Sequence, residues 1–275
     1  MKIPQSIIVS CKVMQAVSPK LLTPFLAKLF TTPIRHKLPK REYEMDTNAV
    51  KQMIHVKSIK KDVMTYQVGT GSKKILLVHG WSGRGTQLVK FADEYVKLGY
   101  TVVSFDAPAH GRSLGKTSIM PEFIASILEI ERVFGPFDAA VGHSLGGMSI
   151  LNALKRGFTV KKAVCIGSGD VIQDIIDDFI RQLDLKPVMG KKLCRYFERT
   201  RREIMDDFSS YRAAAQVDIP VLIIHDENDL EVPVSCAHHI YSHLRNGQLM
   251  ITKGLGHRKI LGERKVIKQT IDFTQ

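Results

Sequence analysis

Ala140-Val141-Gly142-His143-Ser144-Leu145-Gly146-Gly147-Met148 is the stretch from which the rest of this chain can be read. Ahead of it, Phe137 to Val141 is a short apolar run that predicts a buried strand; after it, Met148 to Lys155 predicts the start of a helix. Ser144 therefore falls at a tight strand-to-helix turn, the G-x-S-x-G arrangement in which a serine hydroxyl is held above the end of a sheet. Small residues are needed at Gly142 and Gly146 because strand and helix backbones approach closely there, and a Cβ would collide. The Leu145 amide, at the helix N-terminus, is placed to meet an oxyanion formed at a carbonyl attacked by Ser144.

Outward from this turn, strand and helix patterns alternate. Lys51 to Val56, Asp62 to Val68, Ile75 to Val78 and Thr101 to Phe105 predict strands on the N-terminal side, with helices over Thr86 to Leu98 and Pro121 to Phe134. Beyond the turn, Val160 to Ile166, Val221 to His225 and Gln248 to Ile251 predict strands, with helices over Ser235 to Leu244 and Lys259 to Phe273. Continuous apolar runs such as Ile75-Leu76-Leu77-Val78 suit strands covered on both faces. The alternation predicts an α/β fold, a mostly parallel sheet flanked by helices. Residues 170–215 break this rhythm with helical patterns only and are read as an inserted helical cap. The core then divides into 41–169 and 216–275, preceded by an N-terminal extension over 1–40.

That extension carries seven Lys or Arg and no acid. Its apolar groups predict two short helices separated around Pro19, with Leu22, Phe25, Leu26 and Leu29 on one helical face. Packing of this basic, amphipathic segment against the body is the first expectation, and peripheral contact of residues 1–35 with an anionic membrane surface is the second. No apolar run approaches the roughly twenty residues that span a bilayer, and a signal peptide is not supported.

The net charge of +13 raises a nucleic-acid surface as a question. The basic residues are spread along the chain and accompany no zinc-finger, helix-turn-helix or RNA-binding motif, so nucleic acid is not expected as the partner. Cys11, Cys165, Cys194 and Cys236 have neither paired nor metal-like spacing, which points to a reducing, cytoplasmic compartment. No metal and no cofactor are expected.

A serine hydroxyl needs a base to accept its proton, and the base needs a third group to orient it. Two late loops offer both. His225-Asp226-Glu227-Asn228-Asp229-Leu230-Glu231-Val232-Pro233 follows one strand and Thr252-Lys253-Gly254-Leu255-Gly256-His257 the last. His257 is the expected base and Asp229 the expected acid, with Asp226 and Glu231 open as alternatives. His79, Asp106 and His110 are expected to orient loop backbone, and His143 to pack the elbow.

Together the elbow, the His79-Gly80-Trp81 loop, Asp106-Ala107-Pro108-Ala109-His110-Gly111-Arg112-Ser113, the acid loop and Gly256-His257 resemble the α/β-hydrolase superfamily. The resemblance extends from about Val63 to Phe273. It implies Ser144 as nucleophile, Asp229 as acid, His257 as base, the Trp81 and Leu145 amides as oxyanion hole, and a cap over the catalytic edge. The chain departs from the pattern in having His225-Asp226 where the family often has a His-Gly pair.

The expected activity is that of a serine hydrolase cleaving a carboxylic ester or thioester through an acyl-enzyme. In the cap, Met189, Leu193, Tyr196 and Phe197 are candidate pocket residues, with sealing of the cap against the sheet as the alternative role. Lys191, Lys192, Arg195, Arg199, Arg201 and Arg202 make the region basic enough to attract an acidic leaving group. The alternative is a noncatalytic hydrolase-fold binding protein associated with a membrane surface.

Overall fold

The computed structural model describes residues 3–275. Met1 and Lys2, the first two residues of the expected extension, lie outside the described residues, as does the side chain of Pro19. The apolar runs pair into one eight-stranded sheet. Its spatial order is β1 (Val50–Val56), β2 (Lys61–Val68), β4 (Thr101–Asp106), β3 (Lys74–Val78), β5 (Phe137–His143), β6 (Val160–Ile166), β7 (Val221–Asp226) and β8 (Gly247–Thr252). β2 runs antiparallel to both β1 and β4, and every other pairing is parallel.

Period-two alternation sends successive side chains of each central strand into two different cores. Leu76, Val78, Phe105, Ala140 and Cys165 join one, while Ile75, Leu77, Val102, Val141 and Ile166 join the other. The first core is covered by α5 (Met120–Phe134), α6 (Leu145–Leu154) and α10 (Val234–His243), the second by α4 (Val89–Lys97) and α12 (Arg264–Thr274). The continuous apolar runs are thus explained: a strand covered on both sides has no polar face. The fold is the expected α/β-hydrolase architecture.

From β3 the chain moves to β4 on one side and then returns to β5 on the other. At such a reversal the loops leaving the carboxyl ends of neighbouring strands part and leave a crevice. Ser144 follows β5 at that point.

Between β6 and β7 lie α7 (Ile172–Gln182), α8 (Val188–Arg201), a 3-10 turn at Met205–Phe208 and α9 (Ser210–Ala214). This is the inserted cap. In α7, Ile172, Ile176 and Ile180 recur every fourth residue and are buried. The cap is tied to the core by Asn152 of α6, whose Nδ2 donates to the Phe208 carbonyl at 2.8 Å. α1 (Gln5–Val17) and α2 (Pro19–Phe30) are the two expected N-terminal helices. They bury Cys11, Leu22 and Leu26. Phe30 of α2 meets Phe179 at 5.2 Å and Phe197 at 5.8 Å between ring centroids. Phe25, expected on the packed face, is 37% exposed.

Boundaries moved for local reasons. The helix after the elbow begins at Leu145 rather than Met148, because Gly146 and Gly147 are themselves helical. The helix expected from Thr86 starts at Val89, since Gly85 to Leu88 are spent in turns. The terminal helix expected over 259–273 is broken into α11 (Gly256–Lys259), a 3-10 turn at Ile260–Gly262 and α12. A short α3 (Tyr43–Asn48) carries no pattern strong enough to have been expected.

Candidate active site

Ser144 sits at φ 53° and ψ −120°, a strained conformation for a residue with a Cβ. It is locked there by its amide, which donates to the Ile166 carbonyl of β6 at 2.8 Å, and by its carbonyl, which accepts from the Gly147 and Met148 amides at 3.0 and 3.2 Å. The flanking glycines are required by contact. A Cβ on Gly142 would lie 2.6 Å from the Gly146 carbonyl, and one on Gly146 would lie 2.3 Å from the Val78 carbonyl oxygen. Any larger residue would push α6 off the sheet.

Asp229 and His257 are brought together. His257 Nδ1 donates to Asp229 Oδ2 at 2.7 Å, with the carboxylate 1% and the imidazole 8% exposed. The other oxygen, Oδ1, accepts from the Glu231 and Val232 amides at 2.8 and 2.9 Å. Burial pushes the Asp229 carboxyl up, but hydrogen bonds from His225, His257 and the Val232 amide outweigh it and hold it well below the usual carboxylate range. The acid is therefore an anion oriented on the ring. With Nδ1 so engaged, Nε2 is the nitrogen left to face a substrate.

The alternatives for the acid are occupied elsewhere. Asp226 Oδ1 accepts from the Asn228 and Gly256 amides at 3.0 and 2.9 Å, and Oδ2 from Thr252 Oγ1 and the Leu255 amide at 2.8 and 3.1 Å. It ties the base loop to the acid loop. This is the physical use of the departure at His225-Asp226: a glycine there could not bridge the loops. Glu231 faces outward to Arg258, 3.0 Å away.

Two further histidines lie against the His257–Asp229 pair. His143 Nε2 donates to the His257 carbonyl at 2.9 Å and the two rings lie 4.6 Å apart. Burial, together with the neighbouring His257, pushes His143 down to about 3, so it is neutral at ordinary pH. His225 Nε2 donates to the Val232 carbonyl at 3.0 Å and lies 3.5 Å from Asp229 Oδ2, the oxygen that also meets His257. Nothing in the spacing of His225 marked that role; only the turn of the acid loop creates it.

On the opposite flank, Leu145 is the first residue of α6 and its amide has no intrahelical acceptor. Among the described residues the Trp81 amide likewise donates to no protein group. The loop carrying Trp81 is built on His79, whose Nδ1 donates to the Gly80 carbonyl at 2.7 Å while Nε2 accepts from the Ala107 amide at 3.0 Å. That pattern fixes one neutral tautomer, and burial lowers the pKa of His79 accordingly. Asp106 accepts from the Gly85 and Arg112 amides, both at 2.6 Å, and from Tyr66 Oη at 2.8 Å. His110, pushed down to about 4 by burial, stacks edge-on against Trp81 at 5.0 Å.

The cap residues sit in helix-helix packing. Met189, Leu193 and Phe197 are buried in the packing of α8 against α2 and α7, and half-buried Tyr196 leans on Phe197 at 6.1 Å. In this packing Met189, Leu193 and Phe197 help to seal the cap against the N-terminal helices. An amphipathic helix turns its apolar face to whatever covers it, and here that is another helix. Among the described residues no three His, Cys, Asp or Glu side chains gather as a metal-binding set.

Known proteins place the chain in context. A dihydrolipoyllysine-residue acetyltransferase component of an acetoin cleaving system, from Cupriavidus necator, is 28% identical over 184 residues, 62% of this chain. The chain spans 47% of that protein's length. An esterase from Exiguobacterium antarcticum shares the fold with a TM-score of 0.66 at 16% identity, over 82% of this chain and 99% of its own. A membrane phospholipase A superposes with a TM-score of 0.65 at 14% identity, over 98% of this chain and 99% of its own. Residues 75–263 match the model of the alpha/beta hydrolase family, and with the elbow, sheet order and cap already described, the chain belongs to that family.

Proposed function

We propose that the protein is a serine hydrolase that cleaves a carboxylic ester or thioester. The observation that carries this reading is the His257–Asp229 pair on the loops after β7 and β8, across the edge from a strained serine elbow. In the proposed reaction His257 Nε2 accepts the Ser144 proton as Oγ attacks the carbonyl carbon. Asp229 holds the productive tautomer and favours the imidazolium that forms. The Trp81 and Leu145 amides donate to the oxyanion. The imidazolium returns its proton to the departing alcohol or thiol, and the freed base then draws a proton from water to cleave the acyl-enzyme. Lys191, Lys192, Arg195 and Arg199 are exposed on α8 and favour an anionic leaving group.

Ser144→Ala is expected to abolish fluorophosphonate labelling and to reduce p-nitrophenyl ester turnover by roughly 10⁵-fold or more, with an unchanged circular dichroism spectrum. Labelling that persists in the folded variant would reject Ser144 as nucleophile. Wild-type protein that neither labels nor turns over esters would favour the noncatalytic binding protein.

The same reading includes a cytoplasmic location, supported by four unpaired cysteines, and peripheral membrane contact through residues 1–35. Val9, Val13, Val17 and Leu21 are 50%, 57%, 79% and 66% exposed. On α1 the four-residue spacing of Val9, Val13 and Val17 makes an apolar ridge, and Leu21 is exposed on α2, in a segment without acids. No described helix is long and apolar enough to cross a membrane. Co-sedimentation of Ser144→Ala with phosphatidylglycerol vesicles should be lost when Val13, Val17 and Leu21 are all changed to Asp. Undiminished binding by that variant would refute the contact.

A further inference from the structure

Residues 31–38 leave α2 and cross the loops that follow β3 and β4. The Ile34 amide donates to Ser82 Oγ at 3.0 Å. Arg35 Nε donates to the Ala109 carbonyl at 3.1 Å and its Nη2 to the Ser113 carbonyl at 2.7 Å. In return Arg84 Nη2 donates to the His36 carbonyl at 2.6 Å and the Lys37 carbonyl at 3.2 Å. Two of the gripped residues, Ser82 and Ala109, are non-glycine residues in left-handed backbone, at φ 56° and 65°. Such conformations persist only where surrounding contacts hold them.

Trp81 lies between these anchors. Its predecessor Gly80 is fixed by its amide on Gln87 Oε1 at 2.9 Å, its successor Ser82 is held by the strap, and its ring rests on His110, next to Ala109. A cavity of about 110 Å³ remains between Arg35, His36 and Leu38 of the strap and Tyr66, Arg84 and Arg112 of the body. The strap is fastened here by directed hydrogen bonds.

We propose that the 31–38 strap is a positioning element of the oxyanion loop, with Arg35 as its principal residue. Through Ser82 and Ala109 it sets the direction of the Trp81 amide. The catalytic part of this inference rests on the ester-hydrolase reading above, whereas the conformational part can be read without turnover, because Trp81 is the only tryptophan in the chain.

The test compares wild type, Arg35→Ala, Arg35→Lys and Ser82→Ala in the full chain. Arg35→Ala should shift Trp81 emission to the red, increase acrylamide quenching, and lower kcat for a p-nitrophenyl ester roughly tenfold while KM stays within about twofold. Arg35→Lys keeps the charge but not the planar fork, and should recover only part of kcat. Ser82→Ala should move the same readouts in the same direction by less, and it decides the matter if Arg35→Ala does not fold. A purely structural residue would lower the melting temperature without moving Trp81 emission or separating kcat from KM. Unchanged emission, or changed emission with unchanged kcat, in the folded variants would overturn the proposal. If wild type shows neither turnover nor labelling, the hydrolase reading has failed on its own. Trp81 emission in the variants then upholds or overturns the strap's hold on the loop.

Discussion

The loops that carry Asp229 and His257, the proposed acid and base, are fastened largely to each other, whereas the Trp81 loop, the proposed oxyanion side, is fastened in part by a segment 48 residues upstream. Each half contains a fully buried aspartate at a strand end. Asp226, at the end of β7, receives four donors from the two loops it joins. Asp106, at the end of β4, receives two amides and the Tyr66 hydroxyl. Burial raises the pKa of both. In Asp226 the hydrogen bonds prevail and the carboxyl lies below its ordinary value, while in Asp106 burial prevails and it lies above. The halves should therefore respond to acid in opposite senses.

Disabling one half alone has the largest expected effect. Asp229→Asn keeps the size of the side chain but denies His257 its anionic partner, so kcat should fall about 10⁴-fold. Trp81 emission should not move, since no part of the strap is touched. A shift in emission would show the halves to be coupled. The strap variants, with their roughly tenfold effect, make the reciprocal experiment: the oxyanion half loosens while the Asp229–His257 pair persists.

A smaller effect separates the two buried aspartates. Asp226→Asn should cost about 2 kcal/mol of stability, because an amide cannot accept at both positions from all four donors. Urea denaturation measures it. The pH dependence follows from the directions of the shifts. Asp226 and Asp229, held low, contribute stability that is complete above the ordinary carboxylate value of about 4 and is lost as pH falls through their lowered values. Asp106, held high, contributes stability that is complete below that value and diminishes as pH rises through its raised value. Hydrogen exchange between about pH 6 and pH 3 should therefore accelerate, after correction for intrinsic rates, in 252–257 before it does in 79–85. Earlier loosening of 79–85 would reverse the assignment.

Much of this edge was legible in the chain. The elbow was readable because its requirements are local: a serine at a strand-helix junction and glycines where a Cβ cannot fit. Strand assignments were nearly as good, since a strand covered on both faces must be continuously apolar wherever it lies in the sheet. The serine–acid–histidine order also followed from position, each residue lying beyond a predicted strand. The choice among Asp226, Asp229 and Glu231 was not legible. Four acids fall within six residues, Asp226, Glu227, Asp229 and Glu231; which of them meets His257 depends on where the turn points each, and that direction is set by amides contributed from both loops.

The sequence by itself determined the strand-helix rhythm, the elbow and the places where chemistry could sit, because these depend on side-chain size, polarity and spacing along a short length of chain. Contacts in the folded chain set Asp229 rather than Asp226 against His257, put His143 and His225 beside that pair, bury Met189, Leu193 and Phe197 between cap and N-terminal helices, and bring Arg35 onto the loops beside Trp81. Each of these is a contact between segments far apart in sequence or a direction taken within a turn. A hydrogen bond depends on distance and angle in space, and residue order alone specifies neither.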